Sequence, residues 1–272
     1  VTFSSSSISS NHSLYGPTSL FESVVVLDRM TVVGNASANG GPQNPDSPAA
    51  AIEIVGSATI GTSTIANNAG VGVLLAGTNF NVGSLGTSSH PGVAHRIADL
   101  APASPFPDSS LHVLHSTIAG NTAAGIDGIS GNNGPVSISA VGPGAFVPAP
   151  PRDPSAVVLD HALVADNGDP SQLDVAVPFT SRFSLIRKPN ATYVTADGDG
   201  NLFDVDPQLE PLYWFSPTIA VRAIPVTSPA LNAGDPNFTP PPETDQTGAP
   251  RKVQIIDIGA YEVQVLVPRF AG

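Results

Sequence analysis

The chain has 272 residues, carries a formal net charge of −12 and contains no cysteine. Hydrophobic residues make up 41% of it and charged residues only 12%, which is too apolar a composition for a disordered chain. The negative charge argues against nucleic acid as a partner, because binding phosphate needs a clustered positive surface. The lack of cysteine excludes disulfides, thiolate metal sites and a cysteine nucleophile.

The first part of the chain contains a repeat in which apolar residues stand ten, eight and three positions before an asparagine. Two apolar residues separated by one position face the same way from a β-strand, and the small residue after them indicates a turn into a second strand. Asparagine suits the next corner, because it tolerates left-handed backbone and because stacked amides form a ladder between coils. The structural asparagines of this repeat are Asn11, Asn35, Asn68, Asn121 and Asn167.

The spacings between these asparagines are 24, 33, 53 and 46 residues. Because the last two are about twice the length of one coil, we expect a further coil inside each gap, at residues 71–75 and 136–140. Periods in this range predict an all-β fold, a parallel β-helix, in which one coil cannot bury its own face. A β-sandwich also has short strands and frequent turns, but it does not predict a fixed template with an asparagine corner.

Four segments rich in Gly, Pro, Ser, Asn and Asp interrupt the coils, at residues 36–48, 83–110, 142–155 and 235–250. We expect surface loops there, and binding in solenoids concentrates in such insertions. The sequence therefore predicts coils with long loop insertions over residues 1–189. Residues 190–272 are predicted to form the last coil and an irregular C-terminal capping module that covers the open edge of the stack.

The C-terminal part carries a series of short motifs in a fixed order. They read Asp204-Val-Asp-Pro-Gln-Leu-Glu-Pro-Leu212, Ser228-Pro-Ala-Leu-Asn-Ala-Gly-Asp235, Asp245-Gln-Thr-Gly248, Arg251 and Asp257-Ile-Gly-Ala-Tyr-Glu262. This order resembles the choice-of-anchor Q domain family of bacterial extracellular proteins. The chain departs from the family at Trp214-Phe-Ser216, where a Gly-rich turn is usual, and at Thr247, where Arg is usual. The resemblance implies a right-handed parallel β-helix with the pectate-lyase-like superfold, and it brings no defined chemistry.

A candidate metal site lies in Asp197-Gly-Asp199-Gly-Asn201. Alternating oxygen side chains with intervening glycines suit a hard cation such as calcium. An EF-hand would need Gly at the sixth position and Glu at the twelfth, where Leu202 and Gln208 stand. A polar turn that leads into the last coil explains the same residues, so the cofactor prediction is none or calcium.

A second group of ionisable residues recurs at one position of the repeat. Arg29, His115 and His161 each stand six residues before the repeat asparagine, and Asp28 and Asp160 come just before two of them. We expect an outward stripe whose groups are about 10 Å or more apart, because the intervening coils separate them. This distance favours a solvated surface over a joint site. His90 and His95 lie in a long loop near Asp99 with no metal-binding motif around them.

Two functions from different classes remain open. The first is a non-catalytic extracellular or cell-surface protein, structural or adhesive, such as a stalk, a scaffold or a self-assembling fibre subunit. The second is a carbohydrate-binding or polysaccharide-degrading β-helix, with its site in the long loops. The Asn-Thr-Asp, Gly-His-Gly and Arg-Ile-Lys strings of polygalacturonase-like enzymes do not occur in the chain. Their lack favours the non-catalytic hypothesis and the expectation that the chain is not an enzyme.

Partners and location follow from the same observations. No apolar run approaches the roughly 20 residues that a membrane helix needs, so we expect no membrane insertion. The start at Val1 rather than Met, without a signal peptide, suggests a processed or excised piece of a longer exported protein. We expect partners to be a second copy bound head to tail, an upstream domain of a larger chain, or glycans.

Overall fold

The computed structural model describes residues 1–13, 19–22, 24–37, 49–76, 110–129 and 157–264. These residues form strands, turns and irregular segments, and none of them is helical. The predicted coil at 136–140 and most of the first three predicted loops lie outside the described residues. The described chain is all-β, as the sequence predicts.

Strands, numbered β1 to β22 in chain order, stack in parallel to form two long sheets of seven strands each. The first sheet contains β1 (Thr2–Ser4), β5 (Val25–Asp28), β9 (Ser57–Gly61), β12 (Ser110–Leu114), β15 (Val157–Asp160), β17 (Phe179–Arg182) and β19 (Val194–Asp197). The second sheet contains β2 (Ser7–Ser9), β6 (Thr31–Val33), β10 (Thr64–Ala66), β13 (Thr117–Ala119), β16 (Leu163–Ala165), β18 (Leu185–Ile186) and β20 (Leu202–Phe203).

Three smaller sheets complete the described strands. A four-stranded parallel sheet is made of β4 (Ser19–Glu22), β8 (Ala50–Val55), β11 (Val71–Ala76) and β14 (Ile126–Ile129). The short strands β3 (His12–Ser13) and β7 (Ala36–Ser37) pair in parallel, and β21 (Tyr213–Ser216) forms an antiparallel hairpin with β22 (Ile219–Val221). The chain passes from the first sheet to the second once in every coil, so the strands stack as in a solenoid.

The stacking order corrects the expectation of extra coils inside the gaps. Strand β9 pairs directly with β12, and β12 pairs directly with β15, so the coils on either side of each gap are neighbours. Residues 71–75 belong to β11 in the four-stranded sheet. Strand β11 is a third strand of the coil that already contains β9 and β10. The long spacings arise because the extra residues of those coils are inserted between strands.

The core lies between the sheets and consists of in-register columns of aliphatic residues. Strand β15 shows the alternation that the repeat predicts, with Val157 and Leu159 buried and Val158 and Asp160 partly exposed. Columns continue from coil to coil, as in Ile65, Ile118 and Val164, all of which are fully buried. Burial of such columns is the main stabilising contribution in a fold whose coils are individually too small to be stable.

The structural asparagines form the amide ladder that their periodicity suggests. Asn68 donates its backbone N–H and its Nδ2 to Asn121 Oδ1, at 3.1 and 2.9 Å, and the same pair of bonds joins each successive asparagine. The ladder ends where Asn167 donates both groups to Asp174 Oδ1. The left-handed residue at this corner is the one before each asparagine, such as Asn67 with φ 55°, and not the ladder asparagine itself.

The C-terminal segment, residues 204–264, lies along the side of the stack. One set of its contacts falls on the outer face of the second sheet, where the hydroxyls of Thr31, Thr64 and Thr117 bond Ala220 N, Gln246 Oε1 and Ala260 N. No strand within the described part of this segment pairs with β19 or β20. The described part of the segment forms a lateral cover over the second sheet, which explains why β6, β10, β13 and β16 are buried on both faces.

Candidate functional site: a groove beside a buried histidine pair

The first corner of each coil carries one residue in the left-handed conformation. These residues directly follow the strands of the first sheet, and each N–H donates to a carbonyl of the next coil. They form one column in space, and the positive φ is what turns the chain from the first sheet toward the second. The column includes Arg29 (φ 49°), Thr62 (φ 48°), His115 (φ 47°), His161 (φ 52°) and Phe183 (φ 44°).

Three of these side chains form an aromatic stack. The rings of His115 and His161 lie 4.7 Å apart between centroids with an interplanar angle of 20°. Phe183 stacks on the other face of His161 at 5.4 Å and 13°, and Phe238 contacts both histidines with its edge. The expected separation of about 10 Å is wrong for His115 and His161, because β12 and β15 are neighbouring strands. Both imidazoles are buried.

His161 is held from both of its ring nitrogens. The backbone N–H of Asp235 donates to Nε2 at 3.0 Å, so this nitrogen carries no proton and the neutral ring is protonated at Nδ1. Nδ1 lies 2.6 Å from Asp160 Oδ1, although neither atom has a well-aligned hydrogen-bond partner. The close approach of the segment depends on Gly234, since a Cβ there would lie 2.9 Å from the His161 ring.

Asp160 is fixed as an anion by its neighbours. Arg182 donates two hydrogen bonds to Asp160 Oδ2, from Nε at 3.0 Å and from Nη2 at 2.7 Å. Burial by itself would raise the pKa of Asp160, but the interactions with His161 and Arg182 outweigh it and lower the pKa. This carboxylate is therefore ionised at neutral pH and is unsuited to act as a general acid.

His115 is held neutral by burial and by a buried arginine. Arg251 Nη2 lies 3.2 Å from His115 Nδ1 and also donates to the carbonyls of Asp257 and Gly259. Because arginine has no acceptor, His115 Nδ1 must be the acceptor, which places the ring proton on Nε2. Burial, reinforced by the charge of Arg251, lowers the pKa of His115 to about 2.

The carboxylates around Arg251 bind backbone groups of the C-terminal segment. Asp245 Oδ1 accepts from the N–H groups of Thr247 and Ala249, and Glu262 Oε2 accepts from Asp257 N at 2.9 Å. Asp257 accepts from Asn232 N and Val263 N. Burial raises the pKa of Glu262 to about 7 and also raises that of Asp257. Through these contacts, the C-terminal motif residues Asp245, Arg251, Asp257 and Glu262 stabilise the fold of the segment.

A groove opens beside the histidine pair. It has a volume of about 520 Å³ and lies between the outer face of the first sheet and residues 235–242 of the C-terminal segment. The polar groups on its walls include Asp28, Asp160, Arg182, Asp235 and Asn237. Its apolar surface comes from Val26, Leu114, Phe238, Pro241 and Pro242, and the rings of His115 and His161 also line it. A concave site with a few convergent polar groups is the usual form of a ligand-binding site.

The groove contains carboxylates, but the pair noted in the sequence is too widely spaced for glycoside hydrolysis. Asp28 on β5 and Asp160 on β15 are separated by three strand spacings in the first sheet. Three spacings correspond to about 14 Å. Catalytic carboxyl groups of glycosidases stand about 5–10 Å apart. Asp28 instead lies 3.4 Å from Arg29 in an exposed ion pair.

The candidate calcium residues occupy the turn between β19 and β20. Asn201 Oδ1 accepts a hydrogen bond from Ser184 N at 3.0 Å, and its Nδ2 donates to the carbonyls of Ser181 and Gly198. The Asn201 amide thus stabilises the backbone of this turn. Asp199 is exposed, and the side chain of Asp197 lies outside what the structure describes.

Among the residues that the structure describes, His115 and His161 are the histidines that line the groove. His112 is exposed on β12, and His90 and His95 lie outside the described residues. Within the described ranges, no group of three or more His, Asp or Glu side chains is placed to hold a metal ion. The same residues include no helix long and apolar enough to cross a membrane.

Several groove residues escape the repeat pattern. The sixth coil, Phe179-Thr-Ser-Arg-Phe183, has Ser181 where the template has an apolar residue and Pro189 where it has asparagine, so it is not recognised as a copy. Asp235, Phe238 and Arg251 reach the site from the C-terminal segment, far along the chain. The one sequence signal for the site was the column that contains Arg29, His115 and His161.

Comparisons with protein-family models, with curated proteins and with solved structures gave no significant match.

Proposed function

We propose that this chain is a right-handed parallel β-helix of the choice-of-anchor Q kind, and that it serves outside the cell or at its surface. In this proposal the protein is a non-catalytic structural or adhesive element. The stacked parallel strands and the amide ladder support a rigid solenoid. The order of C-terminal motifs supports the family, and the charge of −12 is compatible with partners other than nucleic acid.

One observation carries the non-catalytic part of the proposal. Each ionisable ring at the groove is engaged by the protein itself, His161 by Asp160 and Asp235 and His115 by Arg251. General acid–base catalysis requires a group that can exchange its proton near the working pH. His115, with a pKa of about 2, and Asp160, with a lowered pKa, do not meet that requirement. The arrangement favours a fixed binding surface.

Assembly is a second part of the same proposal. The strands β19 and β20 end their sheets without a further paired strand among the described residues. Such edges offer unpaired backbone groups, and repeated head-to-tail contact between copies that does not close produces a filament. Electron microscopy of the purified chain at several concentrations tests this, and particles that stay monomeric at all of them would contradict self-assembly.

A polysaccharide-degrading enzyme is the second candidate, and one observation favours it. Asp160 and Asp235 both line the groove and contact opposite nitrogens of the His161 ring, Asp160 with its carboxylate and Asp235 with its backbone. Two carboxylates in one groove are the usual requirement for glycoside hydrolysis. The lowered pKa of Asp160 would restrict it to the role of the ionised partner.

The test is an assay of reducing ends and unsaturated products on a panel of neutral and acidic polysaccharides. We expect no turnover by the parent protein. The variants Asp160→Asn and Asp235→Asn are measured beside Gln254→Asn, which alters an exposed residue outside the groove. Turnover by the parent that both aspartate variants lose and the control keeps would overturn the non-catalytic proposal.

A further inference from the structure

The groove offers an elongated surface across the first sheet. Its lining extends from Val26 and Asp28 on β5 to Arg182 on β17, which are separated by four strand spacings. Four spacings correspond to about 19 Å. A site of this length suits an oligomeric ligand that lies across the strands and contacts several coils.

The backbone of the groove floor is not available to such a ligand. Strands β5, β9, β12, β15 and β17 each have a paired neighbour on both sides. A peptide that binds by strand addition needs a free sheet edge, and the floor has none. Recognition must therefore come from side chains, and the available groups are carboxylates, an arginine, amide and hydroxyl groups beside small apolar patches.

The charges of the groove select against anions. Arg182 is bonded to Asp160, and Arg29 at the corner pairs with Asp28, so both arginines are already neutralised. Asp235 has no described Lys, Arg or His side chain within ion-pair distance of its carboxylate. Arg182 attracts Asp235 from a longer distance, but the described lining still carries three carboxylates, Asp28, Asp160 and Asp235, and one arginine. An acidic polymer would bring further negative charge to this lining, which is unfavourable.

We propose that the groove binds a neutral oligosaccharide. Carboxylate, amide and guanidinium groups hydrogen-bond pairs of hydroxyls, and the apolar patches of Val26, Leu114 and Pro241 accept the C–H faces of sugar rings. The rings of His115 and His161 line the same groove, and their stacking with each other and with Phe183 holds this wall rigid. This inference rests on the proposed adhesive function and names its ligand class.

The experiment measures binding by titration calorimetry with three kinds of probe. These are neutral cello-, xylo- and manno-oligosaccharides, oligogalacturonate of matched length, and a basic peptide. Asn237→Trp fills the groove from its exposed rim, and Gln254→Trp places the same side chain outside it. We expect saturable binding of a neutral oligosaccharide that Asn237→Trp weakens at least tenfold and Gln254→Trp leaves unchanged, with both variants melting at the parent temperature.

A separate variant tests whether the negative charge of the groove excludes acidic ligands. Asp235→Asn keeps an oxygen to accept the Asn237 N–H while it removes one of the negative charges in the groove lining. We expect it to raise the affinity for oligogalacturonate and to change neutral-sugar affinity less than threefold. Binding of oligogalacturonate or of the peptide alone, or neutral-sugar binding that Asn237→Trp does not change, would overturn the inference. Failure of all three probes would overturn it while leaving the structural role intact, whereas cleavage of a bound neutral sugar would contradict only the non-catalytic function.

Discussion

The imidazoles of His115 and His161 stack with their centroids 4.7 Å apart, and each ring is fixed by a different part of the C-terminal segment. Arg251 engages His115, and the backbone of Asp235 engages His161. The pair therefore joins two coils of the solenoid to its lateral cover. Each ring accepts a hydrogen bond at one nitrogen, His115 at Nδ1 and His161 at Nε2.

Replacing His161 by Phe tests this junction. The ring stack remains possible, but the Asp235 N–H loses its acceptor and Asp160 loses a neighbour. We expect a loss of about 1–2 kcal/mol in the free energy of unfolding, the usual cost of an unsatisfied partly buried donor. Urea denaturation provides the measurement, with His112→Phe on the exposed face of β12 as the control. Equal losses in the two variants would contradict the role of the junction.

Alanine substitutions in the amide ladder should lower the free energy of unfolding by an amount that depends on how buried the asparagine is. Asn121→Ala removes the acceptor for two groups of Asn68 and the Nδ2 donor to Asn167 Oδ1 and to the Ile65 carbonyl, while the backbone N–H is kept. Because these groups are buried and belong to one network, we expect a loss of about 2–4 kcal/mol. Asn11→Ala acts at the exposed end of the ladder and should cost about 1 kcal/mol or less. Similar urea midpoints for both variants would show that the ladder is not cooperative.

The sequence predicted the solenoid because its strands and ladder repeat with fixed spacing. Val157, Leu159, Val164 and Asn167 match the earlier copies residue by residue. The number of residues between copies was misleading, because insertions between strands lengthen a coil without adding one. The site was harder to predict, since Arg251 contacts His115 across 136 residues and no periodicity links them. The recurrent Thr31, Thr64 and Thr117 were visible as a column, but nothing in the sequence indicated that they dock the C-terminal segment.

Glu262 gives the stability of the fold a defined pH dependence. Burial raises its pKa from 4.5 to about 7, so in the folded state the protonated form persists to higher pH than in the unfolded chain. The contribution of this group is fully present below about pH 4.5 and is lost as pH rises through about 7. The shift corresponds to about 3 kcal/mol of lost stability between those limits.

The variant Glu262→Gln isolates this effect. Glutamine keeps an oxygen to accept the Asp257 N–H but does not ionise, so the decline between pH 5 and pH 8 should be smaller than in the parent. Asp257, whose pKa is also raised by burial, is the same in both proteins. Urea titrations at the two pH values provide the comparison. The same decline in parent and variant would place the pH dependence elsewhere.

Melting experiments on the turn Asp197-Gly-Asp199-Gly-Asn201 distinguish a calcium site from a structural turn. Asn201 Oδ1 accepts the Ser184 N–H, and a calcium ion coordinated by that oxygen would compete with this bond. We therefore expect the melting temperature of the parent to be the same in millimolar calcium and in chelator. Asn201→Ala should lose about 1–2 kcal/mol in both buffers, because the Ser184 N–H loses its acceptor, and the exposed Asp199→Ala should lose little. A calcium-dependent rise in melting temperature that Asp199→Ala abolishes would instead establish the cation site, since a ligand bound only to the folded state stabilises it by mass action.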